Sequence, residues 1–234
     1  MSAPSFHRPP STVLFDLDGT LTLPEEGITR GAQVALAAVG IEVADRSSLV
    51  SLIGPPFQDW AAVTWGLTGE ELDLAARTYR AYMTDVGIYQ NELVPGIVDV
   101  LAGCAASGVT MAVATSKPDF LAVRIVEHFG LTEWFAVVGG AAPDGSRREK
   151  GDIIIATLEQ LGVDADPGVI MVGDREHDVL GARRAGLGCI GVLWGYGSSD
   201  ELEAAGAAVV VATPGELALE LGLPGSERAG WVSP

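Results

Sequence analysis

Between Pro95 and Leu221 short apolar runs alternate with stretches of helical spacing, and this alternation constrains the fold more than any other feature of the sequence. The apolar runs Val109–Thr115, Phe135–Gly139, Val169–Val172, Cys189–Leu193 and Val209–Val211 read as strands. Helices are expected over Asp119–Phe129, Asp152–Leu161 and Val179–Ala185, and from Asp200 and Pro214 onward, several of them closed by glycine. Strands and helices in this order build a mostly parallel sheet with right-handed crossovers. An earlier run, Val13-Leu14-Phe15 with Leu17 beyond it, adds a strand near the amino terminus. It has no alternating polar face, as a strand buried on both sides would not.

The segment between that first strand and Pro95 follows a different pattern. Thr22–Ile28 is a polar connection containing Pro24 and Gly27, and a helix is expected from Thr29 to Val39, ended by Gly40. Asp45 or Ser47 caps a short helix through Leu52, Gly54-Pro55-Pro56 breaks the chain, and further helices hold Phe57, Trp60 and Val63, then Glu70 to Met83. Between Thr29 and Tyr89 no stretch alternates as a strand would. The expected organisation is therefore an α/β core formed by residues 1–23 and 91–234, with a helical module, residues 24–90, inserted after the first strand. Trp60, Trp65, Tyr79 and Tyr82 are read as packing that module.

With 234 residues and 48% hydrophobic side chains, the chain can form one sizeable core and a smaller appended unit. A formal net charge of −17 argues against a nucleic-acid backbone or an anionic membrane as partner. No apolar stretch is long enough to span a bilayer. Cys104 and Cys189 make no disulfide framework, and a cytoplasmic location is expected. Residues 1–12 read as a loose tail, and the chain is expected to be a monomer or a homodimer.

The chemistry sits at the ends of the strands. Asp16 and Asp18 follow the first apolar run at alternate positions, where their repulsion needs a cation or a proton to offset it, and Gly19 supplies a turn. Thr115 and Ser116 close the second run, Lys150 follows the third, and Asp174 and Asp178 follow the fourth. In a parallel sheet these carboxyl ends share one edge, so four loops converge on one crevice. Carboxylate oxygens suit a hard divalent cation, while an ammonium with hydroxyl and amide donors suits a tetrahedral oxyanion. Lys117 and Lys150 are the only lysines in a chain with twelve arginines. Lys150 is therefore assigned to the site, whereas Lys117 either lies at its mouth or stays at a helix end or in solvent.

These motifs (DLDGTL, Thr115 within AVATSKP, Lys150 and GDREHD) together resemble the haloacid dehalogenase superfamily of phosphatases, in its phosphoglycolate phosphatase-like subgroup with an α-helical cap. The resemblance spans the whole chain, in the family's motif order. It implies a three-layer, Rossmann-like α/β core and Mg²⁺-dependent hydrolysis of a small-molecule phosphate ester through an aspartyl-phosphate. It further implies Asp16 as nucleophile and Asp18 as general acid and base. Gly19, Thr115, Ser116 and Lys150 would bind the phosphoryl group. Asp16, Asp174 and the Asp18 carbonyl would ligate the metal, and Asp178 would hold a ligand water or Lys150. The TLTLPEEGI and GDREHD wording is closer to relatives described as 5′-nucleotidase or simply phosphatase than to phosphoglycolate-specific ones. A phosphomutase, which would isomerise its substrate without releasing phosphate, and a silent phosphate-binding module are the alternatives. Retention of Asp18 argues against the second.

Overall fold

The computed structural model describes residues 9–142 and 144–224. Most of the expected tail, residues 1–8, together with Pro143 and residues 225–234, lies outside the described residues. The chain divides into two compact units, Met1–Leu21 with Leu93–Pro234, and Thr22–Glu92.

The first unit is organised on β1 (Thr12–Phe15), whose four residues are all buried. It continues through α4 (Ile97–Ala106), β4 (Thr110–Pro118), α5 (Asp119–His128), β5 (Val137–Ala141), α6 (Lys150–Leu161) and β6 (Val169–Gly173). Then follow α7 (Glu176–Arg184), β7 (Gly188–Val192), α8 (Ser199–Ala205), β8 (Val209–Val211) and α9 (Pro214–Glu220). The six strands form one sheet in the order β5-β4-β1-β6-β7-β8, with every pairing parallel. β1 is central, with Phe15 beside Val113 on one side and Val172 on the other.

Burial on both faces explains the apolar runs. Leu14, Ala112, Ala114 and Met171 share a cluster with Ile153, Ile154 and Leu158 of α6 and Val179 and Ala182 of α7. Side chains alternate along a strand, so Val13 and Phe15 serve the opposite face, where Phe15 meets Phe135 edge-on at 6.3 Å between centroids. Each of the larger of these side chains, from valine to phenylalanine, contributes about 1.5–3 kcal/mol relative to exposure. Connections leave β1 toward β4 and leave β6 toward β7, in opposite directions. A crevice therefore opens beyond the carboxyl ends of β1 and β6, the place where open parallel sheets bind ligands.

The second unit contains β2 (Thr22–Leu23), α1 (Glu25–Ala37), a 3₁₀ turn (Arg46–Leu52), α2 (Phe57–Trp65), α3 (Gly69–Asp85) and a short 3₁₀ turn (Gly87–Tyr89), and β2 pairs with the two-residue strand β3 (Glu92–Leu93). Its two ends are tied by Gly27 N–H donating to Gln90 O at 3.0 Å and by Asn91 Nδ2 donating to Thr22 Oγ1 at 3.2 Å. The aromatic side chains pack within it: Phe57 stacks on Tyr79 at 4.3 Å, and Trp60 lies 6.2 Å from Trp65. Asp45 caps the 3₁₀ turn by accepting from Ser47 N–H at 2.9 Å.

Several element starts differ from the sequence reading. α1 begins at Glu25 and not Thr29, because Pro24 sits just outside it and Glu25 and Glu26 complement the helix dipole in its first turn. α7 begins at Glu176 and not Val179. Asp178 reaches back to accept from Arg175 N–H at 3.1 Å, stabilising an additional turn. α6 includes Lys150, and β4 continues past Thr115 to Pro118 with an irregularity in its pairing to β5.

Candidate active site

Beyond β1 the chain leaves the sheet. Asp16 N–H still donates to Val172 O at 2.9 Å, whereas Leu21 N–H turns back to Leu17 O at 2.9 Å. Gly19 enables that turn with φ +84°, a region that L side chains rarely adopt. Asp16 and Asp18 are thus held at the mouth of the crevice, with Asp174 and Asp178 arriving from the end of β6 and the start of α7. Asp174 is fully buried and Asp178 is 1% exposed.

Lys150, from the first turn of α6, joins these strand ends. Its Nζ lies 2.7 Å from Asp16 Oδ1 and 2.7 Å from Asp178 Oδ1, and it donates to Ala114 O at 3.0 Å. Two carboxylate oxygens and a carbonyl oxygen thus surround the ammonium. Burial alone would lower the Lys150 pKa, but Asp16 and Asp178 outweigh it and hold the ammonium charged.

The other lysine, whose place the sequence left open, lies on the same cluster. Lys117 Nζ is 2.7 Å from Asp18 Oδ2, with the two side chains only 7% and 14% exposed. Thr115 is buried beside them, and its Oγ1 accepts from Lys117 N–H at 3.3 Å. Ser116, half-buried, lies between the two in sequence at the end of β4.

A further segment belongs to this site, one that is not among the candidate residues read from the sequence. Trp194-Gly195-Tyr196-Gly197, directly after β7, lies over Asp174. Tyr196 N–H donates to Asp174 Oδ2 at 2.7 Å, and Trp194 Nε1 donates to Thr20 O at 3.1 Å. A Cβ on Gly195 would stand 2.3 Å from Asp174 Oδ2 and 2.4 Å from Gly19 O, so only glycine fits there. Two glycines alternating with aromatic residues immediately after a core strand were the available signal.

Four buried or nearly buried carboxylates therefore meet two ammonium groups, so the acids outnumber the lysines two to one. Asp174 Oδ1 and Asp18 Oδ1 are buried without a hydrogen-bond partner. Burial raises the pKa of Asp174 well above the ordinary 3.8, and repulsion from Asp178 and Asp16 raises it further. Burial likewise raises Asp18 and Asp178, while Lys117 and Lys150 respectively oppose the rise. Asp16, Asp174 and Asp178 each offer a carboxylate oxygen, all within 4.8 Å of one another. An all-oxygen donor set with excess negative charge and an unpartnered buried oxygen fits a hard divalent cation. Asp18 contributes no side-chain oxygen to that trio, because its carboxylate faces Lys117.

A family model described as haloacid dehalogenase-like hydrolase matches residues 13–192. The chain is 43% identical over 192 residues to a Pseudomonas aeruginosa protein named 5′-nucleotidase, covering 82% of this chain and 86% of that one. It is 40% identical over 216 residues to a Mycobacterium tuberculosis protein named tyrosine-protein kinase PtkA, covering 92% of this chain and 73% of that one. Among solved structures, a predicted phosphatase from Clostridium acetobutylicum matches with a TM-score of 0.85 at 39% identity, over 89% of this chain and 96% of that one.

Proposed function

This chain belongs to the haloacid dehalogenase-like hydrolases, and on that premise we propose that it hydrolyses a small phosphorylated metabolite with Mg²⁺ through an aspartyl-phosphate on Asp16. One Asp16 oxygen forms a bond to phosphorus while the ester P–O bond breaks, and Asp18 gives its proton to the departing oxygen. Asp18, now a carboxylate, takes a proton from a water that attacks phosphorus. The Asp16–phosphoryl bond breaks, inorganic phosphate leaves, and both aspartates are restored. Asp16, Asp174 and the Asp18 carbonyl would hold the cation, which would supply the positive charge that a carboxylate approaching a phosphoryl dianion requires.

Thr115 Oγ1, the Ser116 amide and Lys150 would receive the phosphoryl oxygens, with the Gly19 turn bringing the backbone close. Because Lys150 already serves three acceptors, it would exchange one of them for a phosphoryl oxygen. Asp178 would keep its grip on Lys150 through that exchange. The raised pKa of Asp18 suits a group that must carry a proton to the leaving oxygen.

The observation that carries this reading is the charge imbalance, with Asp174 Oδ1 buried and unpartnered in the middle of it. The test is hydrolysis of p-nitrophenyl phosphate with and without a chelator, by the natural chain and by Asp16→Asn. We expect chelation to stop turnover, Mg²⁺ to restore it, and Asp16→Asn to be inactive yet folded. A fully active Asp16→Asn variant would overturn the mechanism. The Pseudomonas relative's name puts nucleoside 5′-monophosphates first in a substrate panel, ahead of phosphoglycolate and sugar phosphates. Conversion between sugar phosphates without phosphate release would point to a mutase.

A second reading is favoured by the 40% identity to the protein named as a tyrosine kinase. The first step would be shared, but a tyrosine hydroxyl would replace water as acceptor. Incubation with γ-labelled ATP separates the two, since label reaches inorganic phosphate in one case and protein tyrosine in the other.

A further inference from the structure

We propose that Lys117 is a positioning residue that holds Asp18 in place for proton transfer to the leaving oxygen. This rests on the hydrolase reading above, which gives Asp18 that task, but the observation behind it is separate: the backbone irregularity at the end of β4.

Ala114 is paired with Gly139 and Pro118 with Ala141, so β4 takes four steps where β5 takes two. The additional length is in Thr115, Ser116 and Lys117. Irregularities of this kind re-aim side chains next to sites, and three contacts fix this one. Lys117 N–H is bound to Thr115 Oγ1 at 3.3 Å, and Gly140 passes so near that a Cβ on it would stand 2.6 Å from Lys117 O. The side chain then reaches Asp18 Oδ2 at 2.7 Å.

A helix-end role does not account for the lysine. It precedes α5 by two residues, and the positive end of a helix dipole disfavours a cation there. A solvated role does not account for a side chain 7% exposed. The placement makes sense through its partner. Asp18 lies within the turn that contains Gly19; Lys117 anchors its Oδ2, while Oδ1 is buried and unpartnered. Anchoring one oxygen fixes the direction of the other, and a general acid is effective only within hydrogen-bond reach of the atom it protonates. Lys150 does not take this place, since its Nζ lies against Asp16, Asp178 and Ala114 O.

The test compares two esters that differ in how much they need the acid. A p-nitrophenolate leaves readily without a proton, whereas the more basic phenolate of phenyl phosphate needs one. For Lys117→Met we expect kcat on phenyl phosphate to fall at least about tenfold further than kcat on p-nitrophenyl phosphate, with KM nearly unchanged on both. Lys117→Arg should recover part of the phenyl phosphate rate, and Lys117→Gln takes the place of the Met variant should that one not fold. In an Asp18→Asn background the Lys117 substitution should have little further effect, since the two act as a unit. Equal losses on the two esters would overturn the inference, as would a change confined to KM, which would mean that Lys117 grips the substrate itself. A natural chain that hydrolyses neither ester in Mg²⁺ would bring down the hydrolase reading and this inference together. Natural turnover with no selective loss in the variants would bring down this inference alone.

Discussion

Gly195→Ala tests whether the loop over Asp174 governs the cation site. The added Cβ would fall 2.3 Å from Asp174 Oδ2, 2.4 Å from Gly19 O and 2.5 Å from Asp174 Cβ, so it cannot be accommodated without movement. Two of the three atoms belong to Asp174, and the third is backbone in the Gly19 turn. The carboxylate is the softest of these and will turn, losing the 2.7 Å bond from Tyr196 N–H. A hydrogen bond to a charged group is worth about 1.5–3 kcal/mol, and residual crowding costs about 1–3 kcal/mol. Because Oδ1 turns with Oδ2, the unpartnered oxygen offered to a cation is displaced as well. Loss of an outer contact of this kind weakens metal binding by roughly 10–100-fold. We therefore expect the half-saturating Mg²⁺ concentration for p-nitrophenyl phosphate hydrolysis to rise by about that factor. In chelator, the two costs together should lower Tm by roughly 5–24 °C, at about 2–4 °C per kcal/mol for a chain of this size. The stabilisation gained on adding Mg²⁺ should shrink in parallel. A variant whose Mg²⁺ half-saturation stays within about twofold of the natural chain refutes the reasoning, whatever its melting temperature.

Lys150→Met leaves Asp16 and Asp178 without their shared ammonium; breaking a buried ion pair from one side costs about 3–5 kcal/mol, so thermal melting should drop by roughly 6–20 °C. A shift under about 2 °C would show that the lysine is structurally dispensable. The pH dependence follows from Asp174, whose pKa lies well above 3.8 in the folded chain. Between those values the folded state holds a proton that the unfolded state has released, so in chelator this group's contribution to stability declines as pH rises from about 4 through the raised pKa. Relative to Asp174→Asn, the chelated natural chain should therefore melt progressively lower as pH increases. Mg²⁺ should stabilise it more at about pH 7 than at about pH 5, and equal stabilisation at both would contradict the assignment.

The fold was legible because its signals are periodic and local. A run such as Val169–Val172 has no polar alternate residue, and α6 carries Ile153, Ile154, Thr157 and Leu158 on the face it buries. Element starts were less legible where a few polar residues decide them. Asp178 adds a turn to α7 through one bond to Arg175 N–H, and apolar spacing does not record that. That the carboxylates and Lys150 would come together could be read from their types and their positions after strands. The role of Lys117 could not, because it depends on how far β4 slips against β5, a tertiary property. The Gly195 loop was missed for a similar reason: its contact is with Asp174, more than twenty residues earlier in the chain.

β1 lies at the middle of the sheet, yet both of its neighbours are made long after it. Phe15 must wait for Val113 on one flank and for Val172 on the other. At synthesis rates of about 5–20 residues per second, the strand carrying Asp16 stays unpaired for roughly 5–20 s before its first neighbour exists. For that interval an apolar segment with open edges is a nascent-chain hazard of the kind chaperones shield. Slowing translation after residue 172 should matter far less to the yield of folded protein than slowing it before.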